Sequence, residues 1–211
     1  MKKEKGKRKL NDDDILTFKV ITIGDSNVGK TSIIRRYIYN VFEEHILSTI
    51  GLTFCFKEII LKNGTKIKLK LVDTAGQEKY NALAKSYFKN VDGVLFIFDF
   101  NKLKSFENIE KWIQLFEENN NAKEIPKYLI GNKNDLEKNV EKEKIDKFIS
   151  KYNYKFEECS ALNNKNIDKI FQDISEVIYS TVSLREKAQK NLKISQYVEE
   201  KEESNCICKV N

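Results

Sequence analysis

The chain has 211 residues, of which 40% are hydrophobic and 11% aromatic, so it can bury a sizeable core and is not expected to be globally disordered. Its net charge of +6 comes mainly from residues 1–9, which carry six cations and one acid, whereas residues 10–183 carry 26 charges of each sign. A neutral body argues against nucleic-acid binding, and the four cysteines form neither a disulfide framework nor a zinc-ligand pattern. The amino terminus lacks an apolar signal segment and the longest apolar run, residues 94–98, is too short to cross a membrane, so we expect a cytosolic or cytosol-facing protein.

Apolar runs typical of buried strands alternate along the chain with stretches of helical period. The predicted strands are residues 18–23, 53–61, 66–72, 93–99, 128–131 and 156–159, and the predicted helices are residues 30–39, 80–88, 105–118, 141–152 and 167–182. This order predicts a three-layer α/β sandwich with a six-stranded, mostly parallel sheet and about five helices. Asn63-Gly64, a pair suited to a type I′ turn, predicts that the second and third strands form an antiparallel hairpin. Trp112, at helical spacing from Ile109, Ile113 and Phe116, is predicted to be a core residue.

Both ends of the chain carry charge without apolar periodicity. Residues 1–15 are predicted to be a flexible arm, basic and then acidic, and residues 184–211 a flexible tail. Residues 16–183 are predicted to form one folded domain.

The segment from Gly24 to Thr31 fits the pattern G-x-x-x-x-G-K-[ST], and it follows a predicted strand and begins a predicted helix. Its glycines let backbone N–H groups and the helix N-terminus face a phosphate group. Lys30 would reach the β- and γ-phosphates, and Thr31 would place its hydroxyl on Mg²⁺. The alternative is a plain glycine turn between a strand and a helix. The predicted nucleotide contacts in this segment are Asp25, Ser26, Asn27, Val28, Gly29, Lys30, Thr31 and Ser32.

The segment Asn132-Lys133-Asn134-Asp135 follows the fifth predicted strand, where doubly wound sheets bind their ligands. The Asp135 carboxylate can accept hydrogen bonds from the N1–H and the 2-amino group of guanine, which adenine does not offer. Adenine would leave a buried carboxylate unpaired, at a cost of roughly 1 to 3 kcal/mol or more. The pattern therefore predicts a guanine nucleotide, GTP or GDP, although four polar residues can also form an ordinary loop.

Two further segments supply groups for hydrolysis. At the end of the third predicted strand, Asp73 can hold Mg²⁺ through a water, the Gly76 N–H can reach the γ-phosphate, and Gln77 can orient an attacking water. Thr49, in the loop after the first helix, can complete the Mg²⁺ coordination only when the γ-phosphate is present. The predicted catalytic residues are Gln77, Lys30 and Thr49, and the predicted metal ligands are Thr31, Thr49 and Asp73.

In this order the segments resemble the Ras superfamily of small GTPases, and more closely its Rab branch, over residues 16–182. The Rab-like segments are residues 23–26, 48–51, 73–78 and 131–133, together with paired cysteines near the end. The resemblance implies a P-loop NTPase fold, with Thr49 and Gln77 in the two switch loops. It also implies that Phe42 stacks against guanine, and that Ser160 and Ala161 form a loop whose Ala161 N–H meets guanine O6.

The same resemblance implies a GTP/GDP switch in membrane traffic that hydrolyses GTP slowly, is monomeric in solution and recruits effectors in its GTP state. The expected partners are an exchange factor, a GTPase-activating protein, effectors and prenyl-chaperone proteins. No arginine of the body is an unambiguous arginine finger, so fast hydrolysis is expected to need one from an activating protein.

Three positions depart from the family pattern. Val72 stands where Rabs usually carry a tryptophan that helps to form the effector surface with aromatics matching Phe54 and Tyr87. Leu162 replaces the lysine that usually follows the Ser-Ala pair and packs near the base. Ser26 and Asn27 occupy positions that are glycines in Ras itself; serine is ordinary there in Rabs and asparagine is less usual.

Cys208 is fourth from the end, as prenylation requires, but Lys209 and Asn211 fit the C-a-a-X pattern poorly. The pair formed with Cys206 better resembles Rab tails, which commonly carry two prenyl groups. Two lipid chains hold a protein to a bilayer, whereas one gives marginal, reversible binding. We therefore expect the protein on the cytoplasmic face of an intracellular membrane, cycling with the cytosol. Inert tail thiols are the alternative, and the basic arm is either a further membrane contact or a solvated tail.

Two other functions are compatible with a phosphate-binding loop. A P-loop kinase or ATPase would need a lid or acceptor segment, but the connections are short and Asp135 favours guanine. A non-hydrolysing nucleotide-binding scaffold would not need Gln77.

Overall fold

The computed structural model describes residues 15–44, 52–74, 87–120 and 124–184. Its strands are β1 (Thr17–Ile23), β2 (Leu52–Ile60), β3 (Lys66–Thr74), β4 (Gly93–Asp99), β5 (Lys127–Asn132) and β6 (Lys155–Glu158). Its helices are α1 (Lys30–Tyr39), α2 (Leu103–Glu107), α3 (Ile109–Asn119), α4 (Lys142–Tyr152) and α5 (residues 167–184). The strands form one six-stranded sheet in the order β2-β3-β1-β4-β5-β6. The β2–β3 pair is antiparallel and the other pairs are parallel, so the predicted fold class is confirmed.

The central strands are buried on both faces because helices cover the sheet from both sides. All seven residues of β4 are buried, and they alternate between the two faces. Leu95 and Ile97 pack with α1 and with Phe171 of α5, whereas Phe96 packs with Phe116 of α3 on the opposite face. Two hydrophobic layers therefore lie between three layers of backbone, as an α/β sandwich requires.

The helix predicted over residues 105–118 is divided into α2 and α3. Asn108 ends α2 and begins α3, and its backbone N–H bonds back to Lys104 while its carbonyl accepts from Trp112. Its side chain is turned away from both helices to donate to Asp25. An asparagine that bonds elsewhere is a poor interior helix residue, which accounts for the break. The helix predicted over residues 80–88 lies almost wholly outside the described residues.

The β2–β3 hairpin is confirmed, but the predicted type I′ turn is wrong. Gly64 has a φ of 83°, whereas Asn63 does not have a positive φ. The Gly64 N–H donates to the Leu61 carbonyl, and the Leu61 N–H donates to the Thr65 carbonyl. This is the three-residue loop with one left-handed glycine rather than the two-residue loop. The Asn63 side chain accepts from the Thr65 N–H at 2.9 Å and so stabilises the longer loop.

Gly131 marks where this packing leaves no room for a side chain. A Cβ atom there would lie 2.4 Å from Cε2 of Phe100 and 2.9 Å from Cζ of Phe98. We expect Gly131→Ala to lower the free energy of unfolding by roughly 1–3 kcal/mol through overpacking, as measured by urea titration. In the double variant Gly131→Ala/Phe100→Leu the loss should be smaller than the sum of the two single losses. Strict additivity would show that steric overlap with Phe100 is not the cause.

Candidate nucleotide site at the carboxyl edge of the sheet

The loop between β1 and α1 passes very close to its neighbours at two glycines. A Cβ atom on Gly24 would lie 2.1 Å from the Ile97 carbonyl oxygen, and one on Gly29 would lie 2.3 Å from Asn132 Nδ2. Between them Asn27 has a φ of 62°, a left-handed conformation that asparagine tolerates better than most side chains. The departure at residue 27 therefore preserves the backbone geometry that a glycine would supply.

The first turn of α1 is prepared for an anion. Gly29 caps the helix without a side-chain hydrogen bond, and the first turn contains no acidic residue. Its leading N–H groups therefore lack intrahelical acceptors, and the helix dipole places positive potential at this end. The predicted loop residues Ser26, Val28 and Ser32 lie on this loop and on the start of α1, with Val28 buried.

Lys30 is buried beneath the loop. Its ammonium donates to the carbonyls of Gly24 at 2.9 Å and Asp25 at 2.7 Å. Burial lowers the pKa of Lys30 to about 8, although the carboxylates of Asp73 and Asp25 act to raise it. A phosphate group in the loop would favour the charged ammonium by the same electrostatic rule.

Thr31 and Asp73 are brought together, although one is on α1 and the other is on β3. The Thr31 hydroxyl donates to Asp73 Oδ2 at 2.6 Å, and Asp73 is 3% exposed. A hydroxyl and a carboxylate are the hard oxygen ligands that Mg²⁺ prefers. The chemistry of this pair therefore suits the predicted magnesium ion.

The last residue of β5 and the loop that follows it are hydrogen-bonded directly to the β1–α1 loop. Asn132 Nδ2 donates to the Val28 carbonyl at 2.8 Å, and the Lys133 ammonium donates to the Asn27 carbonyl at 2.8 Å. Lys133 also pairs with Asp99 Oδ2 at 2.7 Å. These bonds join two motifs that lie more than a hundred residues apart in the sequence.

A third loop, after β6, meets the same edge. The Ser160 hydroxyl donates to Asp135, and the Ala161 N–H donates to Asn132 Oδ1 at 3.2 Å. Leu162, the departure from the family lysine, is 45% exposed beyond them. The structure thus brings together, at one edge of the sheet, Asn132, Lys133, Asp135, Ser160 and Ala161.

Arg36 is a residue of this site that sequence reasoning missed. It lies on α1, and its guanidinium donates to the carbonyls of Ala161 and Leu162 while facing the ring of Phe42 at 5.9 Å. Phe42 is only partly buried. No motif contains Arg36, so only its three-dimensional contacts reveal a role.

Trp112 is a core residue, as predicted, and it also has a polar role that helical spacing did not show. It is 8% exposed, and its indole Nε1–H donates to Asp25 Oδ1 at 2.7 Å. The Asn108 amide donates to the other oxygen, Oδ2, at 2.7 Å. Helix α3 therefore fixes the carboxylate of a loop residue whose carbonyl accepts from Lys30.

Several predicted functional residues lie outside the described residues. These are Thr49, Gly76, Gln77, Cys206 and Cys208.

Comparisons with known proteins agree with this arrangement. A model of the Ras family matches residues 19–180. The chain is 38% identical over 182 residues to the Ras-related protein Rab-10 of Diplobatis ommata, covering 85% of this chain and 90% of the relative. It is 34% identical over 195 residues to Rab-18 of Lymnaea stagnalis, covering 92% of this chain and 96% of the relative. It is 40% identical over 163 residues to Rab-11B of Dictyostelium discoideum, covering 76% and 73%.

The family match spans most of the chain, and it contains the phosphate-loop lysine, the Thr31–Asp73 pair and the base-side loops described above. The chain therefore belongs to the Ras family of small GTPases, enzymes that hydrolyse GTP, and is a GTPase of the Rab type.

Proposed function

We propose that this GTPase is a Rab-like switch that binds GTP or GDP with Mg²⁺ at the edge of the sheet, hydrolyses GTP slowly and recruits effectors on an intracellular membrane. The observation that carries the proposal is the direct bonding of the loop that would bind phosphates to the loop that would read the base. Asn132 and Lys133 donate to the carbonyls of Val28 and Asn27, so the two segments are joined by direct hydrogen bonds at the edge of the sheet.

On the phosphate side, the backbone N–H groups at the start of α1 and the Lys30 ammonium would bind the β- and γ-phosphates. Thr31 and Asp73 would hold the magnesium ion, which would neutralise charge on the phosphate oxygens when bound. Asp73 is nearly fully buried, and its Oδ2 already accepts from the Thr31 hydroxyl.

On the base side, Asp135 would accept from the N1–H and 2-amino group of guanine. The Ser160 hydroxyl donates to Asp135 Oδ1 and so restrains the carboxylate. The Ala161 N–H, which contacts Asn132 Oδ1 at 3.2 Å, would be shared with guanine O6. Two acceptors and one donor in these places complement guanine and not adenine.

Base selection by Asp135 is testable because replacing its carboxylate with an amide turns one of the two hydrogen-bond acceptors into a donor. Xanthine offers the N1–H donor with a 2-oxo acceptor. An asparagine side chain at this position would accept from the N1–H with its carbonyl oxygen and donate to the 2-oxo group with its amide NH2. We expect fluorescent GDP to bind the native chain far more tightly than ADP, and Asp135→Asn to weaken GDP roughly 100-fold while improving xanthosine diphosphate. Asp146→Asn, an exposed change on α4, should leave both affinities unaltered. An ADP preference of the native chain would refute the proposed site.

Hydrolysis is proposed to be slow because the described arginines are already engaged. Arg36 is bonded to loop carbonyls and Arg35 is paired with Glu43, so neither serves as a finger for the γ-phosphate in this structure. A finger supplied by an activating protein is typically worth 10³ to 10⁵ in rate. The proposed groups for orienting the attacking water and sensing the γ-phosphate are Gln77, Gly76 and Thr49.

We expect Gln77→Leu to lower the single-turnover rate of GTP hydrolysis roughly tenfold or more, since leucine cannot orient a water. Phosphate release after mixing with one equivalent of GTP and Mg²⁺ gives this rate, and GTP affinity should be nearly unchanged. Gln114→Leu, a change of an exposed glutamine on α3, is the matched control. If the native chain hydrolyses GTP no faster than Gln77→Leu, a non-hydrolysing scaffold is favoured instead.

Effectors are proposed to bind the exposed surface of the paired strands β2 and β3, which adjoin the predicted switch segments in the sequence. Phe54 of β2 lies opposite Val72 of β3; Phe54 is 54% exposed, whereas Val72 is 1% exposed. The Lys70 ammonium faces the Phe54 ring at 4.8 Å. A Rab tryptophan at residue 72 would add a ring to this surface, so the valine gives it a different shape and a different set of partners.

Membrane attachment is proposed to depend on prenyl groups at Cys206 and Cys208, with the exchange factor, activating protein and prenyl-chaperone proteins of a Rab cycle. Within the described residues, no helix has the length and apolar character needed to cross a bilayer. Covalent lipid chains would supply the membrane affinity instead.

The mass of the C-terminal peptide from natively expressed protein should show two prenyl groups. We expect the double variant Cys206→Ser/Cys208→Ser to lose co-sedimentation with anionic vesicles, and each single variant to bind weakly and reversibly. Cys55→Ser, which removes a thiol of the folded domain, should sediment like the native chain. An unmodified native peptide would refute the lipid anchor.

A further inference from the structure

We propose that Arg36 is a positioning residue for guanine recognition, which holds the loop of Ala161 and Leu162 in the place from which it reads the 6-oxo group of the base. This inference rests on the proposed guanine site. It concerns a residue that lies in no nucleotide-binding motif and that contacts the recognition loop from outside.

The guanidinium of Arg36 bonds to two consecutive carbonyls of that loop. Nε donates to the Ala161 carbonyl at 2.8 Å, and Nη2 donates to the Leu162 carbonyl at 3.0 Å. The two peptide groups therefore face one planar fork, which fixes both their position and their rotation. The N–H proposed to meet guanine O6 belongs to Ala161 itself.

The same guanidinium also faces Phe42, the ring proposed to stack on the base. Nη1 donates to the Asn40 carbonyl at 2.9 Å, at the residue that ends α1 in a left-handed conformation. Two residues later, the Phe42 ring lies 5.9 Å from the guanidinium carbon, within the range of a cation–π contact. Arg36 thus connects the loop that reads the edge of the base with the ring proposed to stack on it.

Helix α1 gives these contacts a rigid origin. Lys30 and Arg36 are six residues apart on α1, so their Cα atoms are separated by about 9 Å along its axis. One end of the helix serves the proposed phosphate site and the other end holds the base loop. Without Arg36, the loop would keep its bonds from Ser160 and Ala161 but lose those on the carbonyls of Ala161 and Leu162.

A role in base reading differs measurably from a general role in folding. If Arg36 only stabilises the domain, its loss weakens every nucleotide alike. If it positions the Ala161 N–H, its loss weakens nucleotides that carry the 6-oxo acceptor more than those that lack it. The ratio of two affinities is independent of the folded fraction, so a partly unfolded variant still gives a valid answer.

The test compares GDP with the 5′-diphosphate of 2-aminopurine riboside, which keeps the 2-amino group but lacks both O6 and the N1–H; Arg36 contacts the Ala161 loop and not Asp135, so its effect is read against O6. Both are titrated against the native chain, Arg36→Lys and Arg35→Lys with Mg²⁺ present. Lysine keeps the charge but not the planar fork. We expect Arg36→Lys to weaken GDP roughly tenfold and the analogue much less, so that the preference for GDP shrinks. Arg35→Lys changes the neighbouring arginine, which pairs with Glu43, and should retain the native preference.

If Arg36→Lys leaves the preference for GDP over the analogue unchanged, whether both affinities fall equally or neither falls, the positioning role is overturned and the guanine site is not. A native chain that binds GDP no better than the analogue would overturn that site and this inference together. Because the native chain is measured in the same titration, the two failures are distinguishable.

Discussion

Two carbonyl groups of the β1–α1 loop accept hydrogen bonds from side chains at the end of β5 and in the loop that follows it. Asn132 is 1% exposed and its amide donates to the Val28 carbonyl, while Lys133 donates to the Asn27 carbonyl. Unpaired, a buried amide and a buried carbonyl would each cost about 1 to 3 kcal/mol. The approach is possible only because Gly29 has no side chain to displace the Asn132 amide. The contact between these two segments therefore depends on Gly29 and on Asn132, whose bonding partner Val28 lies 104 residues away in the sequence.

Parallel strand order explains why these distant segments meet. Strands β1 and β5 both flank β4, and their carboxyl ends lie at the same edge of the sheet. Loops that follow parallel strands converge there, which is why such folds bind ligands at this edge. The buried strand β4 lies between β1 and β5 and so sets the spacing between the two loops. The packing of the core therefore also determines the geometry of the site.

Each charged side chain of the site has specific hydrogen-bond or ion-pair partners. Lys30 is held by two carbonyls, Lys133 by the Asp99 carboxylate, and the Asp25 carboxylate by the Trp112 indole and the Asn108 amide. Charged groups removed from water are tolerated only when each has specific partners. Side chains fixed in this way are preorganised, so little reorganisation is needed when a charged ligand binds.

Several features were predictable because they are local or follow from chain order. The alternation of strands and helices predicted the sandwich, and the glycine-lysine pattern predicted a loop between β1 and α1. One of the two errors has a local cause and the other a distant one. An Asn-Gly pair is compatible with two hairpin loops, and its neighbours chose the longer one. The long helix broke at Asn108 because that side chain has a partner in Asp25, 83 residues away.

The amino-acid sequence by itself determined the class of fold and the family, and it located the G-x-x-x-x-G-K-[ST] and Asn-Lys-Asn-Asp motifs, because each depends on spacing and residue type along the chain. Only the tertiary structure decided which side chains hold those motifs in place. Arg36 and Trp112 carry no pattern that marks them as polar partners of the Ala161 and Asp25 loops. Their roles follow from hydrogen-bond directions between residues 125 and 87 positions apart, and no local period or spacing records such directions.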